Sequence, residues 1–426
     1  MGHITAKKNY EKLVRRLNRF PQGAPPTATL YRILEILFNP REAELTSKLP
    51  IQGFAAEEAA KRWELPLSES IEILDQLARR AILVDIVKDG KTTYVLPPPM
   101  AGFIEFSMMR IRNDIDQHSL GQLLHQYMNV EEDFVRELFY GTETKMVRTF
   151  VNEGALPQDD VLEIMNYERA TEIIKSATHI GLGVCYCRHK MEHVGKNCDA
   201  PMEICMTFGN TADSLIRSDY AKRITADECL SLLQTAYDHN LVQIGENVQN
   251  EVAFICNCCG CCCEALLAAQ RFGSSQTIAT TNYLPHIDHT ACTACGKCVK
   301  VCPVKALDWT DGKAKGNLHL IEDMCLGCGV CVRNCHFNAL TLEKRDSRII
   351  TPMSTAHRVV LAAIDKGMLA NLFFDNEALA SHRIMGALLS AILSLTPAKQ
   401  LLANEQIRSK YLVKLIEKAR EKKKKT

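Results

Sequence analysis

Two cysteine runs of identical spacing constrain this chain more than any other feature. Cys292-x2-Cys295-x2-Cys298-x3-Cys302-Pro303 is followed by Cys325-x2-Cys328-x2-Cys331-x3-Cys335. Three thiolates from one tight loop reach three corners of an iron–sulfur cube, and the fourth, three residues on, points to the other cube. The spacing therefore predicts cluster A on Cys292, Cys295, Cys298 and Cys335, and cluster B on Cys325, Cys328, Cys331 and Cys302. Gly296, Gly327 and Gly329 leave backbone N–H groups close to sulfur, where they stabilise negative charge. A double zinc site is the competing reading, but zinc ribbons use two CxxC pairs rather than triplets.

The paired runs resemble the bacterial-type two-cluster ferredoxin domain over residues 285–345. The resemblance implies two [4Fe-4S] clusters that relay electrons one at a time. His336 stands where the second proline of the pattern would be, and is expected to change solvation near Cys335 without abolishing ligation.

The chain holds 19 Cys in 426 residues, none before Cys185 and none after Cys335. Thiols clustered in so long a chain point to metal rather than to a disulfide scaffold, and metal thiolates imply a reducing compartment. A cytoplasmic location is expected. Residues 1–10 lack the apolar segment of a secretory signal, and the longest apolar stretch, 384–395, is too short to span a bilayer. A formal net charge of +1 gives no global steering toward nucleic acid or anionic membrane.

Eleven further cysteines lie upstream, in residues 181–275. Gly183 to Arg188 reads as a short strand with Cys185 and Cys187 on one side, and Cys198 and Cys205 follow. A second strand over 252–258 carries Cys256 and Cys258, then runs into Cys259-Gly260-Cys261-Cys262-Cys263. A helix is expected from about Glu264 to Gly273. Thiols at a strand end and a helix N-terminus favour the anionic form. Cys229 sits in a helix over 225–239 opened by a Thr225/Glu228 capping box, and reads as a core thiol. The other ten suffice for one or two additional iron–sulfur clusters, with zinc or plain redox thiols as the alternative. Arg188, His189, Lys190, His193 and Lys196 surround the first thiol pair, as counter-charge for anionic clusters or as an anion site.

Residues 181–345 are similar to a group of anaerobe iron–sulfur proteins in which a CxCR segment and a CNCCGCCC segment precede a ferredoxin domain. That resemblance implies a cluster-binding electron carrier. Cys258-Cys259-Gly260 also resembles the adjacent-Cys signature of heterodisulfide reductase catalytic subunits, although the second, widely spaced cysteine-pair set of that family is missing.

The remaining organisation is α+β and multidomain. Residues 1–26 read as a basic, Pro-rich arm. Residues 27–100 give three helices and a hairpin turning at Asp89-Gly90, an order that resembles a winged helix-turn-helix. Its third helix presents Glu69, Glu72 and Asp75, and residues 28–100 hold nine Lys/Arg against eleven Asp/Glu. Phosphate binding needs concentrated positive charge, so DNA is not expected, and the module reads as a docking or oligomerisation surface. Residues 101–180 read as helical, and 346–426 as helices ending in a basic tail.

The expected function is a cytoplasmic iron–sulfur relay to or from a partner oxidoreductase, through two ferredoxin-type clusters and at least one more. A redox-sensing winged-helix regulator, or a reductase with a catalytic cluster in 185–263, are the alternatives.

Overall fold

The computed structural model describes residues 2–140, 142–157, 165–309, 317–346 and 348–374. The chain divides into two compact units.

The first unit comprises residues 1–107, 142–144 and the segment from 352 onward. Its opening residues were expected as an arm, but Gly2–Leu17 is a helix. Tyr10, Leu13, Val14 and Leu17 recur at helical spacing and are buried. Tyr10 donates to the Phe38 carbonyl at 2.8 Å and Arg16 Nε to the Leu49 carbonyl at 2.7 Å, so the basic segment is docked. The helix Ala28–Leu37 starts at a Thr27 cap. A helix not anticipated from the sequence follows at once, Pro40–Ser47. Pro40 ends the first helix but opens this one at a position where no N–H is needed, beside an Asn39/Glu42 capping box. Helices Ala56–Trp63 and Leu67–Arg79 come next. Strands β1 (Val84–Lys88) and β2 (Lys91–Val95) then pair antiparallel. Asp89 and Gly90 supply the two positive φ angles that a two-residue hairpin turn demands. Helices Thr355–Asp365 and Leu369–Phe373 bring Ala363 and Leu372 against Ile51. The helices expected around 383–395 and from 404, and the terminal lysines, lie outside the described residues.

The second unit, 108–141 with 145–351, holds all 19 cysteines. Its centre is a six-stranded antiparallel sheet of β3 (Val147–Thr149), β4 (Ile180–Val184), β5 (Glu203–Phe208), β6 (Lys222–Arg223), β7 (Val242–Glu246) and β8 (Phe254–Cys258). The spatial order is β3-β7-β8-β5-β4-β6. Residues 101–180 do contain helices, Gln117–His125, Asp133–Phe139 and Ala170–Ser176, but they also supply the edge strand β3.

Strand alternation divides this sheet into two chemical faces. Ile180, Met206, Phe208 and Ile255 pack with Cys229, Leu233 and Tyr237 of the helix Ala226–Asp238. That helix carries the anticipated Thr225/Glu228 capping box, and Cys229 is a core thiol whose pKa burial pushes up to about 12. Met206 lies opposite Ile255 in an antiparallel pair, so Cys205, one residue before Met206, and Cys256, one residue after Ile255, face the other side together.

Downstream, β9 (Tyr283–Ile287) pairs with β12 (Leu340–Lys344), and β10 (Leu307–Trp309) with β11 (Leu318–Leu320). Among the described residues, no helix is long and apolar enough to cross a membrane.

Candidate metal centres

The two C-terminal cysteine runs fold alike. Each ends its CxxC turn on a glycine in the left-handed region, Gly296 (φ 74°) or Gly329 (φ 82°), which then starts a short helix, Lys297–Val301 or Val330–Arg333. A pocket is lined by Cys292, Cys295, Cys298 and Cys335, with Trp309, Leu318, Phe337 and Leu340 among its walls. These four thiols are the predicted cluster A set. Around Cys325, Cys328 and Cys331, burial raises each thiol and the charge of Cys302 raises each further. The charge of Cys302 thus reaches the thiols of the second run. Backbone N–H groups of Ala306 and Gly327 donate to Cys302 Sγ at 3.2 Å and Cys325 Sγ at 3.4 Å. Such donors favour the thiolates that an iron–sulfur cluster needs. His336 Nε2 meets Lys297 Nζ at 2.7 Å, so the residue in the proline position is tied across to the other run.

The upstream thiols are arranged differently from the expectation in one respect. Strand β4 stops at Val184, and Tyr186–Glu192 is helical, with Cys185 at its N-cap. Cys185 and Cys187 are thus not alternate residues of a strand. The strand cannot continue because Arg188, His189 and Lys190 are drawn inward as one buried helical turn, where each finds a partner. The strand β8 and the helix Glu264–Phe272, with Cys263 at its N-cap and Gly273 at its end, follow the expectation.

The ten thiols separate into two groups. Cys198, Cys259, Cys261 and Cys262 place all four Sγ atoms within 4.8 Å of one another. Cys198 Sγ is 3.6 Å from Cys259 Sγ and 3.9 Å from Cys262 Sγ, and Cys261 Sγ is 3.8 Å from Cys262 Sγ. Hydrogen bonding from Cys262 is the largest cause that holds the Cys259 thiol down at about 5. The remaining six form a row that runs from β5 and β8 to the N-termini of the helices Tyr186–Glu192 and Glu264–Phe272. Cys205 Sγ lies 4.0 Å from Cys256 Sγ, Cys185 bonds to Cys205, and Cys258 bonds to Cys256 and Cys263. Cys187 closes the row on Cys263.

Between the groups lies Arg188, fully buried. Its Nη1 and Nη2 donate to the carbonyls of Pro201 at 3.0 Å and Asn257 at 2.9 Å, while its Nε has no hydrogen-bond partner. Burial alone would lower its pKa, but Cys185, Cys259 and Cys258 outweigh that and raise it. A guanidinium among thiolates, with one buried donor unspent, fits sulfur-rich anionic centres on either side.

Lys190 does not serve in that way. Its ammonium bonds the Glu264 carboxylate and Asn129 Oδ1, and Asn129 Nδ2 returns to Glu264 Oε2 at 2.9 Å. Lys190 and Glu264 are 0% and 3% exposed, so the lysine compensates a buried carboxylate rather than a cluster. This pair was not foreseen, because no local pattern joins residues 74 positions apart.

The upstream loop also touches the ferredoxin-type loops. A Cβ placed on Gly260 would lie 2.3 Å from the Pro303 carbonyl oxygen and 3.0 Å from its C and Cα. Gln270 Nε2 bridges the same two residues, donating to Gly260 O at 2.6 Å and Pro303 O at 2.8 Å. Gly260 is flanked by Cys259 and Cys261, and Pro303 follows Cys302.

Residues 291–347 match the family of 4Fe-4S dicluster domains. No curated protein and no solved structure matches the chain.

Proposed function

We propose that this chain is an iron–sulfur electron relay in which current passes between a ferredoxin-type domain and an upstream thiol-bound centre. The dicluster domain supports the iron–sulfur electron-transfer role. Cys292, Cys295, Cys298 and Cys335 would hold one [4Fe-4S] cluster, and Cys325, Cys328, Cys331 and Cys302 the other. A third cluster would draw its ligands from Cys185, Cys187, Cys205, Cys256, Cys258 and Cys263. When bound, such clusters accept and release single electrons.

The observation that carries the reading is the backbone contact of Gly260 with Pro303. Electron transfer between fixed sites depends on distance and on packed intervening atoms, both of which the protein sets. A residue adjoining a cluster B ligand is in van der Waals contact with a loop whose ends, Cys258 and Cys263, belong to the six-thiol row. Gln270 straps this junction, and Arg188 balances negative charge on its upstream side. A winged-helix regulator is less well supported. Glu69 and Glu72 are exposed on the helix that would face DNA, and Asp75 is engaged by Tyr94 Oη at 2.7 Å.

The donor and acceptor are proposed to be single-electron proteins of a cytoplasmic oxidoreductase system. The test is a reductive titration of the anaerobically purified chain, with freeze-quench EPR. The expected result is iron and sulfide beyond two four-iron clusters, with electrons placed on the ferredoxin-type clusters redistributing to the upstream centre. Iron and sulfide of only about eight each per chain would refute the upstream cluster, as would an upstream signal that never equilibrates with the others.

A further inference from the structure

Ten upstream thiols invite the assumption that all serve iron–sulfur clusters of one type. The distances say otherwise. Four thiolates around a single tetrahedral ion, with metal–sulfur bonds of about 2.3 Å, lie about 3.8 Å apart along each edge. The contacts among Cys198, Cys259, Cys261 and Cys262 are 3.6, 3.8 and 3.9 Å, and every other separation falls within 4.8 Å. On a four-iron cube each thiolate binds a different iron. Neighbouring thiolates are then separated by two iron–sulfur bonds and an edge of the cube, and must stand farther apart.

The same structure supplies the control. The eight thiols of the dicluster domain form no such tight group. Among the described residues, Cys198, Cys259, Cys261 and Cys262 are the one set of three or more ligand side chains gathered this closely.

We infer that Cys198, Cys259, Cys261 and Cys262 bind one thiophilic divalent ion, zinc or ferrous iron, in a tetrahedral tetrathiolate site without inorganic sulfide. Four sulfurs in tetrahedral array suit either metal. Binding needs all four sulfurs as thiolates, so whichever thiols still carry protons release them to solvent, and the filled site has a net charge of −2, part of which Arg188 offsets across its buried contact. Cys262 is buried, Cys198 and Cys259 are half-buried and Cys261 is exposed, so the site has both a dry floor and an entrance. Cys198 comes from the segment before β5 and the other three from the loop after β8, so the ion would pin these two connections together. The inference stands apart from the relay, since it holds whether or not electrons cross the Gly260–Pro303 junction.

The experiment is elemental analysis of zinc, iron and acid-labile sulfide on the anaerobically purified full chain, beside its Cys198→Ala and Cys261→Ala variants. The expected result is one ion per chain in excess of the sulfide-matched iron. Each variant should lose that ion and no sulfide. X-ray absorption at the edge of the excess metal, on the unmutated chain, should find four sulfurs at about 2.3 Å and no iron neighbour. Excess zinc or excess iron decides which ion occupies the site. Concerted loss of about four iron and four sulfide would overturn the inference in favour of a cube. An unmutated chain with no excess ion, or an excess ion with an iron neighbour, would also overturn it, even if both variants failed to fold.

Discussion

Replacing Gly260 by alanine tests the junction between the two thiol-bearing parts of the second unit. The added Cβ would sit 2.3 Å from the Pro303 carbonyl oxygen, where ordinary contact begins at 3.4 Å, so the two backbones must separate by roughly 1 Å. Both partners are main chain, and neither can swing aside as a side chain does. Overpacking of this kind costs about 1–3 kcal/mol. Opening the gap also strains the two hydrogen bonds of Gln270, each contributing on the order of 1 kcal/mol. The assay is anaerobic stopped-flow reduction with thermal unfolding on the same preparation. The expected result is intact metal content, a lower unfolding temperature, unchanged reduction of the ferredoxin-type clusters and slower arrival of electrons upstream. Gln270→Ala, which removes the strap without adding bulk, should weaken stability alone or slow transfer less. If Gly260→Ala left both stability and the upstream phase unchanged, the contact would not be the route.

Other predictions follow from the buried groups. Lys190→Met strands the Glu264 carboxylate and should cost about 3–5 kcal/mol, measured as unfolding under anaerobic conditions, while Lys190→Met with Glu264→Gln should recover much of it. Burial, then His189 and His118, hold the His193 imidazole below its ordinary 6.5, with Glu192 and Asp116 opposing. The unfolded chain then takes up a proton that the folded one refuses, so this contribution to stability is present above pH 6.5 and lost as pH falls below it. Urea unfolding from pH 5 to 8 should show that slope, and His193→Asn should flatten it. Cys229→Ala should cost roughly 1 kcal/mol by removing a buried core atom, yet leave iron, zinc and sulfide per chain unchanged. Loss of metal in that variant would place Cys229 among the ligands.

The dicluster segment was legible because its information is local. Within each run the ligand spacing and the glycines lie within a few residues of one another. The Asp89-Gly90 hairpin, the Thr225/Glu228 cap and the Cys263-capped helix were legible for the same reason. The strand read through Cys185 and Cys187 was not. Period-two spacing of two thiols is a weak signal, and it lost to a helical turn stabilised by partners far along the chain, Met108, Asn257 and Glu264. The helix Gly2–Leu17 was hidden by its basic residues, although Tyr10, Leu13, Val14 and Leu17 carry its apolar stripe. The division of ten thiols into four and six could not be read from order at all. It depends on the β5–β8 register, which turns Cys205 and Cys256 to one side while Cys198 approaches from another connection.

Within Cys258-Cys259-Gly260-Cys261-Cys262-Cys263 one group encloses the other. Cys258 and Cys263 bond into the row of six, while Cys259, Cys261 and Cys262 belong to the group of four. If both sites are occupied as proposed, their biogenesis would not be a pair of separate events. Whichever occupant arrives first fixes six consecutive residues of backbone, and so moulds the vacancy its neighbour must fill. An ion delivered early would act as a template for cluster insertion, and the wrong ion delivered early would act as a block. If both sites fill as proposed, the cell's supply of zinc relative to iron during synthesis would help to set how much of this protein matures.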